Sequence, residues 1–328
     1  MNGALLLCRA DVERLLAPRL CIAAVEEAFR RLAEGQVPPP GILGMHAGEG
    51  SFHVKAGFLT LDRPYFAAKL NANFPHNGAR HGLPTIQGAV ILSDAVNGTL
   101  LAVMDSIGIT ALRTAAASAV AAKFLAREAC DTALIVGCGG QARAQLQALL
   151  CVRKPRRVLA YDQDSKRAQA FAALMPAVTT VSDLDAAAAE SDLIITCTTA
   201  RKFILRRDVI QPGTFIAAVG ADSEQKQEID PALMAAAKIV TDLTDQGAAI
   251  GDLHHAIAQG TMTREDVHAE LADVVAGRKP GRETADEITL FDSTGTGLQD
   301  VAAAIAVYRE ALRERVGTSF QFTERLAA

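Results

Sequence analysis

The run Ala133–Ala142, ALIVGCGGQA, limits what this chain can fold into more than any other stretch. A short apolar segment, Leu134–Val136, meets Gly137-x-Gly139-x-x-Ala142, and an Ala-, Gln- and Leu-rich helical segment follows at once. A second apolar run, Val158–Tyr161, ends at Asp162. This is the spacing of a dinucleotide-binding βαβ unit. Gly137 permits the tight strand-to-helix turn, Gly139 lets a pyrophosphate approach the backbone, and Ala142 lets helix and strand pack closely. Gly140 and Gln141 lie inside the same turn and are candidate cofactor contacts. The helix N-terminus adds unpaired N–H groups and a partial positive charge.

Alternating strands and helices surround this motif: Ala133–Val136, a helix to about Leu150, Arg157–Tyr161, a helix Ser165–Leu174, then Val178–Val181, Leu193–Thr198, Thr214–Val219 and Lys238–Thr241. The alternation predicts an α/β domain with a Rossmann-type, doubly wound parallel sheet. The N-terminal part reads differently. Asp11 is expected to cap a short helix, and a longer one spans Arg19–Glu34 with Gly35 as its stop. Strand-like runs follow at Ser51–Gly57, Phe66–Asn71, Ile86–Ser93 and Thr99–Asp105, the last two joined by an Asn97-Gly98 turn. An Ala-rich helix from Gly108 to Arg127 leads into the glycine motif, and the tail from about Asp300 to Leu326 is again helical. The expected division is a second, α+β domain made of 1–115 with 305–328 and a dinucleotide-binding domain of 116–304.

Composition bounds the function. The chain has 328 residues, half of them hydrophobic, with a net charge of −4. That leaves room for two cores and gives no reason to invoke nucleic acid or a membrane surface. The opening MNGALLLCRADVERLL is too short in its apolar part and too quickly charged for a signal peptide, so a cytoplasmic location is expected. The six cysteines show no CxxC pair and no regular spacing, so no metal site is expected.

Asp162 closes the second strand of the βαβ unit. A carboxylate there accepts hydrogen bonds from ribose hydroxyls and repels a 2′-phosphate, which favours NAD over NADP. Thr196 and Thr198 end another apolar strand, where such sheets place cofactor contacts; ordinary strand-end polarity explains them equally well.

Several further pieces carry a resemblance: GLPT (Gly82–Thr85), MDSIGITALRTAAASAVAAKFLAR (Met104–Arg127), VGCGGQA (Val136–Ala142), VGAD (Val219–Asp222) and LFDSTGTGLQD (Leu290–Asp300). With these the chain resembles the ornithine cyclodeaminase/mu-crystallin family over nearly its whole length. The resemblance implies hydride transfer between a nicotinamide and the α-carbon of an amino acid or imine. It places Lys69, Arg113 and Asp222 in the substrate pocket. A lysine and an arginine suit a carboxylate clamp, and Asp222 suits proton transfer at the substrate nitrogen. Thr114, Val219, Lys226 and Ser293 become candidate cofactor contacts. Homodimerisation is a family expectation, with a small amino or imino acid as substrate, and the resemblance implies substrate binding and oligomerisation for the domain of 1–115 with 305–328.

One region departs from the family. Its cyclodeaminases carry an arginine after a proline-rich segment and a glutamate on the next strand; here the stretch reads PPPGILGMHAGEGSFHVKAG. His53 and Lys55 stand near the glutamate position, and neither can accept the distal ammonium of a diamino acid, although Glu49 can. Lys55 is a candidate carboxylate ligand, and His53 a weaker substrate contact. The sequence therefore favours an NAD-dependent imine reductase or amino-acid dehydrogenase. Ornithine cyclodeamination with catalytic NAD is the alternative, and a non-catalytic, cofactor-dependent binder is a third reading.

Overall fold

A computed structural model describes residues 3–322. The chain divides into two compact units, Met1–Arg113 with Thr296–Ala328 and Thr114–Gly295. The whole helix Gly297–Glu314, not only its part from 305, belongs to the first unit.

Among the described residues, the first unit holds a seven-stranded sheet. In spatial order its strands are β17 (Thr318–Phe320), β1 (Ala4–Leu7), β6 (Leu100–Asp105), β5 (Ile86–Asp94), β4 (Pro64–Asn73), β3 (Gly50–Thr60) and β2 (Gly41–Ala47). β1 runs parallel to β6, and every other pair is antiparallel. Register fixes which side chains share a face, because opposed residues point the same way. Ile42, Lys55, Lys69 and Val90 form one row, and His53 and Asn71 belong to the next row on that face. The helix Gly297–Glu314 packs on this side, where a Cβ on Gly57 would lie 3.5 Å from Val301. Gly297 lets the helix start close in, since a Cβ there would meet the Ala56 carbonyl oxygen at 2.4 Å.

The opposite face carries Leu43, Val54 and Leu70 in one row and Phe58 with Phe66 in another. Leu43, Phe58, Leu70 and Ile91 are exposed there.

Two local expectations need correction. Asp11 is not the helix cap: Cys8 holds that position and Asp11 is the third helical residue, its carboxylate accepting the Cys8 N–H at 3.0 Å. Two strands carried no prior assignment: the apolar Ala4–Leu7 run is β1, and the Gly-containing segment after the prolines is β2. The C-terminal helix stops at Glu314, where Arg315 adopts φ +58 and Gly317 φ +98, and β17 follows. The rest of the expected tail helix, from 323 onward, lies outside the described residues. The Asn97-Gly98 turn does join β5 to β6, with Gly98 at φ +77.

The second unit contains the expected parallel sheet. Its order is β15 (Ala269–Glu270), β14 (Lys238–Thr241), β16 (Thr289–Asp292), β12 (Phe215–Ala218), β10 (Leu193–Thr196), β7 (Thr132–Val136), β8 (Arg157–Tyr161) and β9 (Val178–Thr180). All its pairs are parallel. β11 (Arg201–Leu205) and β13 (Gln227–Ile229) form a small separate pair. The strand order reverses between β7 and β10, and ligands of such sheets bind at that reversal, outside the carboxyl ends of the strands. Among the described residues, no helix is long and apolar enough to cross a membrane.

Candidate active site

The glycine loop sits at that reversal. Gly137 follows β7 with φ +93, a conformation that only glycine adopts without strain. A Cβ there would meet Thr198 Cγ2 at 2.8 Å and the Cys197 carbonyl oxygen at 2.9 Å. Gly139 and Gly140 differ: a Cβ on either would touch nothing within 4 Å. Their backbone thus borders open space ahead of the helix Ala142–Val152, as a pyrophosphate cradle requires. Ala142 is fully buried, and Gln141 holds the N-cap position without a side-chain cap bond, its Oε1 atom buried and unpaired among the described residues.

Asp162 faces this loop. Its Oδ2 accepts the Cys138 N–H at 2.8 Å and its Oδ1 the Asp164 N–H at 2.9 Å. Each carboxylate oxygen has a second lone-pair direction for a ribose hydroxyl. The loop, the open cradle and the acid together fit a dinucleotide.

Two candidates on this sheet point elsewhere. Thr196 is fully buried and its hydroxyl donates to Glu228 Oε2 at 2.7 Å, so that side chain does not line the sheet's mouth. Ser293 is buried and donates to Asp242 Oδ2 at 3.2 Å. The reason is shared: buried carboxylates need donors, and strand-end hydroxyls supply them. Glu228, absent from the sequence reading, also accepts the N–H groups of Thr198 and Gly220 at 2.6 and 2.8 Å. It therefore ties the ends of β10 and β12 together. Burial pushes its pKa up, against those hydrogen bonds. Val219 sits in this tie, its N–H donating to the Thr196 carbonyl at 2.9 Å. Thr114 is buried at the start of the second unit.

Asp222 lies in the loop after β12, on the same edge of the parallel sheet as the glycine loop. It is an exposed residue and pairs with Lys226 Nζ at 2.6 Å. No helix follows to be capped: β13 comes next.

In the first unit the structure brings Lys69 and Arg113 together through a residue the sequence reading left without a role, Asp300. The Lys69 ammonium lies 2.9 Å from both Asp300 oxygens. Arg113 Nε donates to Asp300 Oδ1 at 3.0 Å, and Arg113 Nη1 to Gln299 Oε1 at 2.9 Å. Lys69, Arg113 and Asp300 are 3%, 5% and 1% exposed, so all three charges are held away from water. Burial pulls the Lys69 pKa down to about 7; Arg113 and Lys55 add to the fall and Asp300 opposes it. Burial alone would raise the Asp300 pKa, but Lys69 and Arg113 hold it below the usual carboxylate range. Asp300 is thus the fixed charge and Lys69 the member that titrates near neutrality. The Gln299 Nε2 donor is buried beside them without a partner among the described residues.

Lys55 stands directly across from Lys69 on the neighbouring strand, and His53 pairs with Ser51 Oγ at 2.9 Å. Glu49, the one acid near a diamino acid's distal end in the sequence reading, forms an ion pair with Arg80 at 2.5 Å. A signal for Asp300 was present in the quoted LFDSTGTGLQD segment: a charged residue among Leu298, Val301 and Ile305 on a helix's apolar side.

Residues 3–315 match the ornithine cyclodeaminase/mu-crystallin family. This chain belongs to that family. It is 38% identical over 320 residues to an alanine dehydrogenase of Archaeoglobus fulgidus, covering 97% of this chain and 98% of that one. Two solved structures share the family fold. An archaeal alanine dehydrogenase dimer with bound NAD superposes with a TM-score of 0.93 at 37% identity, over 98% of this chain and all of that one. The Δ1-pyrroline-2-carboxylate reductase of Thermococcus litoralis, in complex with NADH and L-proline, gives a TM-score of 0.91 at 36% identity, over 96% of this chain and 100% of that one.

Proposed function

We propose that this family member is an NAD(H)-dependent oxidoreductase that interconverts a small α-imino acid with the corresponding amino acid. The observation that carries the reading is the buried Lys69–Asp300–Arg113 cluster, in a chain whose other unit holds an open dinucleotide cradle. Two buried cations around one carboxylate leave an excess of positive charge, and the unpaired Gln299 amide adds a donor; such a site suits a substrate carboxylate. NAD(H), when bound, supplies or accepts hydride at the α-carbon. Gly139, Gly140, Gln141 and Asp162 would hold it. Lys69 and Arg113 bind and orient the substrate carboxylate, which is where positioning lowers the barrier. Asp222 moves the proton at the substrate nitrogen. The relatives named alanine dehydrogenase and pyrroline-2-carboxylate reductase support this class. The Glu49–Arg80 pair and the basic His53–Lys55 strand weigh against a diamino acid. The test is a panel monitored at the NADH absorbance, with ammonia assayed in parallel. Stoichiometric NADH loss with pyruvate plus ammonia or with a cyclic imine is expected. Proline and ammonia from ornithine at constant NADH would establish the cyclodeaminase instead.

The cofactor preference rests on Asp162. Because its carboxylate also holds the Cys138 N–H, Asp162→Ala is expected to weaken both cofactors. The loss should be about tenfold greater for NADH, which alone loses a partner for its 2′-hydroxyl, while NADPH is freed of repulsion at its 2′-phosphate. Equal losses, by fluorescence titration, would remove the reason for preferring NAD.

We further infer a homodimer formed through the uncovered sheet face. Leu43, Phe58, Leu70 and Ile91 are 54%, 43%, 46% and 39% exposed on one face, more contiguous apolar surface than a monomer commonly leaves in water. Leu70→Glu is expected to convert a dimer mass in sedimentation to a monomer mass. A native monomer would contradict the inference.

A further inference from the structure

We propose that Asp300 is a positioning residue for the substrate carboxylate: it gathers the Lys69 ammonium and the Arg113 guanidinium on one buried carboxylate and holds the two cations ready for a second one. The proposal rests on the carboxylate-clamp reading of Lys69 and Arg113 and adds the group that builds the clamp.

The geometry sets the roles. Asp300 lies in the first turn of the helix Gly297–Glu314, where the helix dipole favours a negative charge. Its Oδ1 takes both Lys69 Nζ and Arg113 Nε, so the two cations, from β4 and from the helix Ser106–Leu125, share one anchor. Arg113 Nη1 is fixed in turn by Gln299, the residue before Asp300. One helix turn thus orients both cations. Without it two buried positive charges would face each other with no counter-charge, and a buried, unpaired ammonium gives up its proton instead.

Every element packed around Lys69 enters this balance. Lys55 from β3 and Arg113 repel its charge, and Asp300 from the C-terminal helix stabilises it. β5 offers only Val90 across the pair. Cys21, on the helix Pro18–Ala33, is close enough to feel Arg113, but burial pushes its thiol up to about 12 and it stays neutral. The sign of the pH effect follows. Lys69 carries its charge below about 7 and loses it above, so carboxylate affinity falls as pH rises through that value. Removing the Asp300 charge lowers the Lys69 pKa further, so the fall begins at lower pH.

Pyruvate is a suitable probe, because its carboxylate is ionised throughout and it has no amine to titrate. Its dissociation constant is read from the fluorescence of the protein–NADH complex between pH 5.5 and 9. Asp300→Asn is expected to weaken pyruvate about 30-fold at pH 6.5. It should move the pH-dependent fall to lower pH and leave NADH affinity within about threefold, the scatter of a site with no shared contacts. Lys69→Met should weaken pyruvate and abolish the fall. In the Lys69→Met background, adding Asp300→Asn should cost about tenfold at most, because the Lys69 arm is already gone and only the Arg113 arm remains to be lost. That double variant removes the ammonium together with its counter-charge and leaves Arg113 its Gln299 bond, so it buries one unpaired cation rather than two and serves if Asp300→Asn alone does not fold. A further loss of about 30-fold or more in the double variant would overturn the proposal, because none of the effect would then run through Lys69. So would an Asp300→Asn protein with native affinity, or one whose pH-dependent fall stays in place. If Lys69→Met and Arg113→Leu bind pyruvate as the native protein does, or if the native protein binds neither pyruvate nor L-proline, the clamp reading itself fails.

Discussion

Asp222→Asn is expected to lower kcat by about 10²- to 10⁴-fold while NADH affinity stays near native, the size of effect seen when a positioned proton-transfer group is removed. Asparagine keeps the shape and can still accept a hydrogen bond from Lys226, which lies 2.6 Å away in the native protein. It cannot carry a proton to or from a substrate nitrogen. The loop that holds Asp222 leaves β12 at the carboxyl edge of the sheet, next to strand ends that Glu228 ties together through Thr196, Thr198 and Gly220. The aspartate is therefore presented from a braced support. Single-turnover and steady-state kinetics separate the two readouts. A kcat within threefold of native would remove Asp222 from the chemistry and leave it as a surface ion pair.

Alanine at Gly137 and at Gly139 should both weaken NADH but differ in their effect on stability. At Gly137 the new methyl group faces φ +93 and two atoms closer than 3.0 Å. Backbone strain and overpacking each cost about 1–3 kcal/mol, so Gly137→Ala should lower the melting temperature and cut NADH affinity by roughly 10²-fold or more. At Gly139 the methyl group meets nothing within 4 Å, so the fold should melt as the native protein does. The same methyl group would stand in the space the pyrophosphate needs, and NADH affinity should still drop by about tenfold or more. Thermal melts and NADH titrations of the two variants check this. Native NADH affinity in Gly139→Ala would place the pyrophosphate elsewhere.

The second unit was legible because its signals are local. An apolar run, a glycine turn and a helix recur in register with a parallel sheet, and Asp162 falls where the next strand must end. The first unit was legible in part. β3 to β6 announce themselves by alternation and by the Asn97-Gly98 turn, whereas β2 is exposed along its whole length and has no alternation to read. β1 is four residues long and pairs with strands that lie far away in sequence. For Thr196 and Ser293 the sequence could not show what their hydroxyls face, because that is decided by Glu228 and Asp242, acids that lie 32 and 51 residues away. Asp300 was missed for the same reason. Its partners are 231 and 187 residues distant, and only the packing of the C-terminal helix on the β3–β4 face brings them together.

The central claim is net hydride transfer to a small α-imino acid, and deuterium tests it most directly. NADH deuterated at both C4 positions would be supplied with Δ1-pyrroline-2-carboxylate, and separately with pyruvate plus ammonia, and the amino-acid product analysed by mass spectrometry. The account predicts one deuterium at the α-carbon for each NADH consumed with at least one of the two. Unlabelled product, or ornithine converted to proline and ammonia with the NADH pool unchanged, would contradict it.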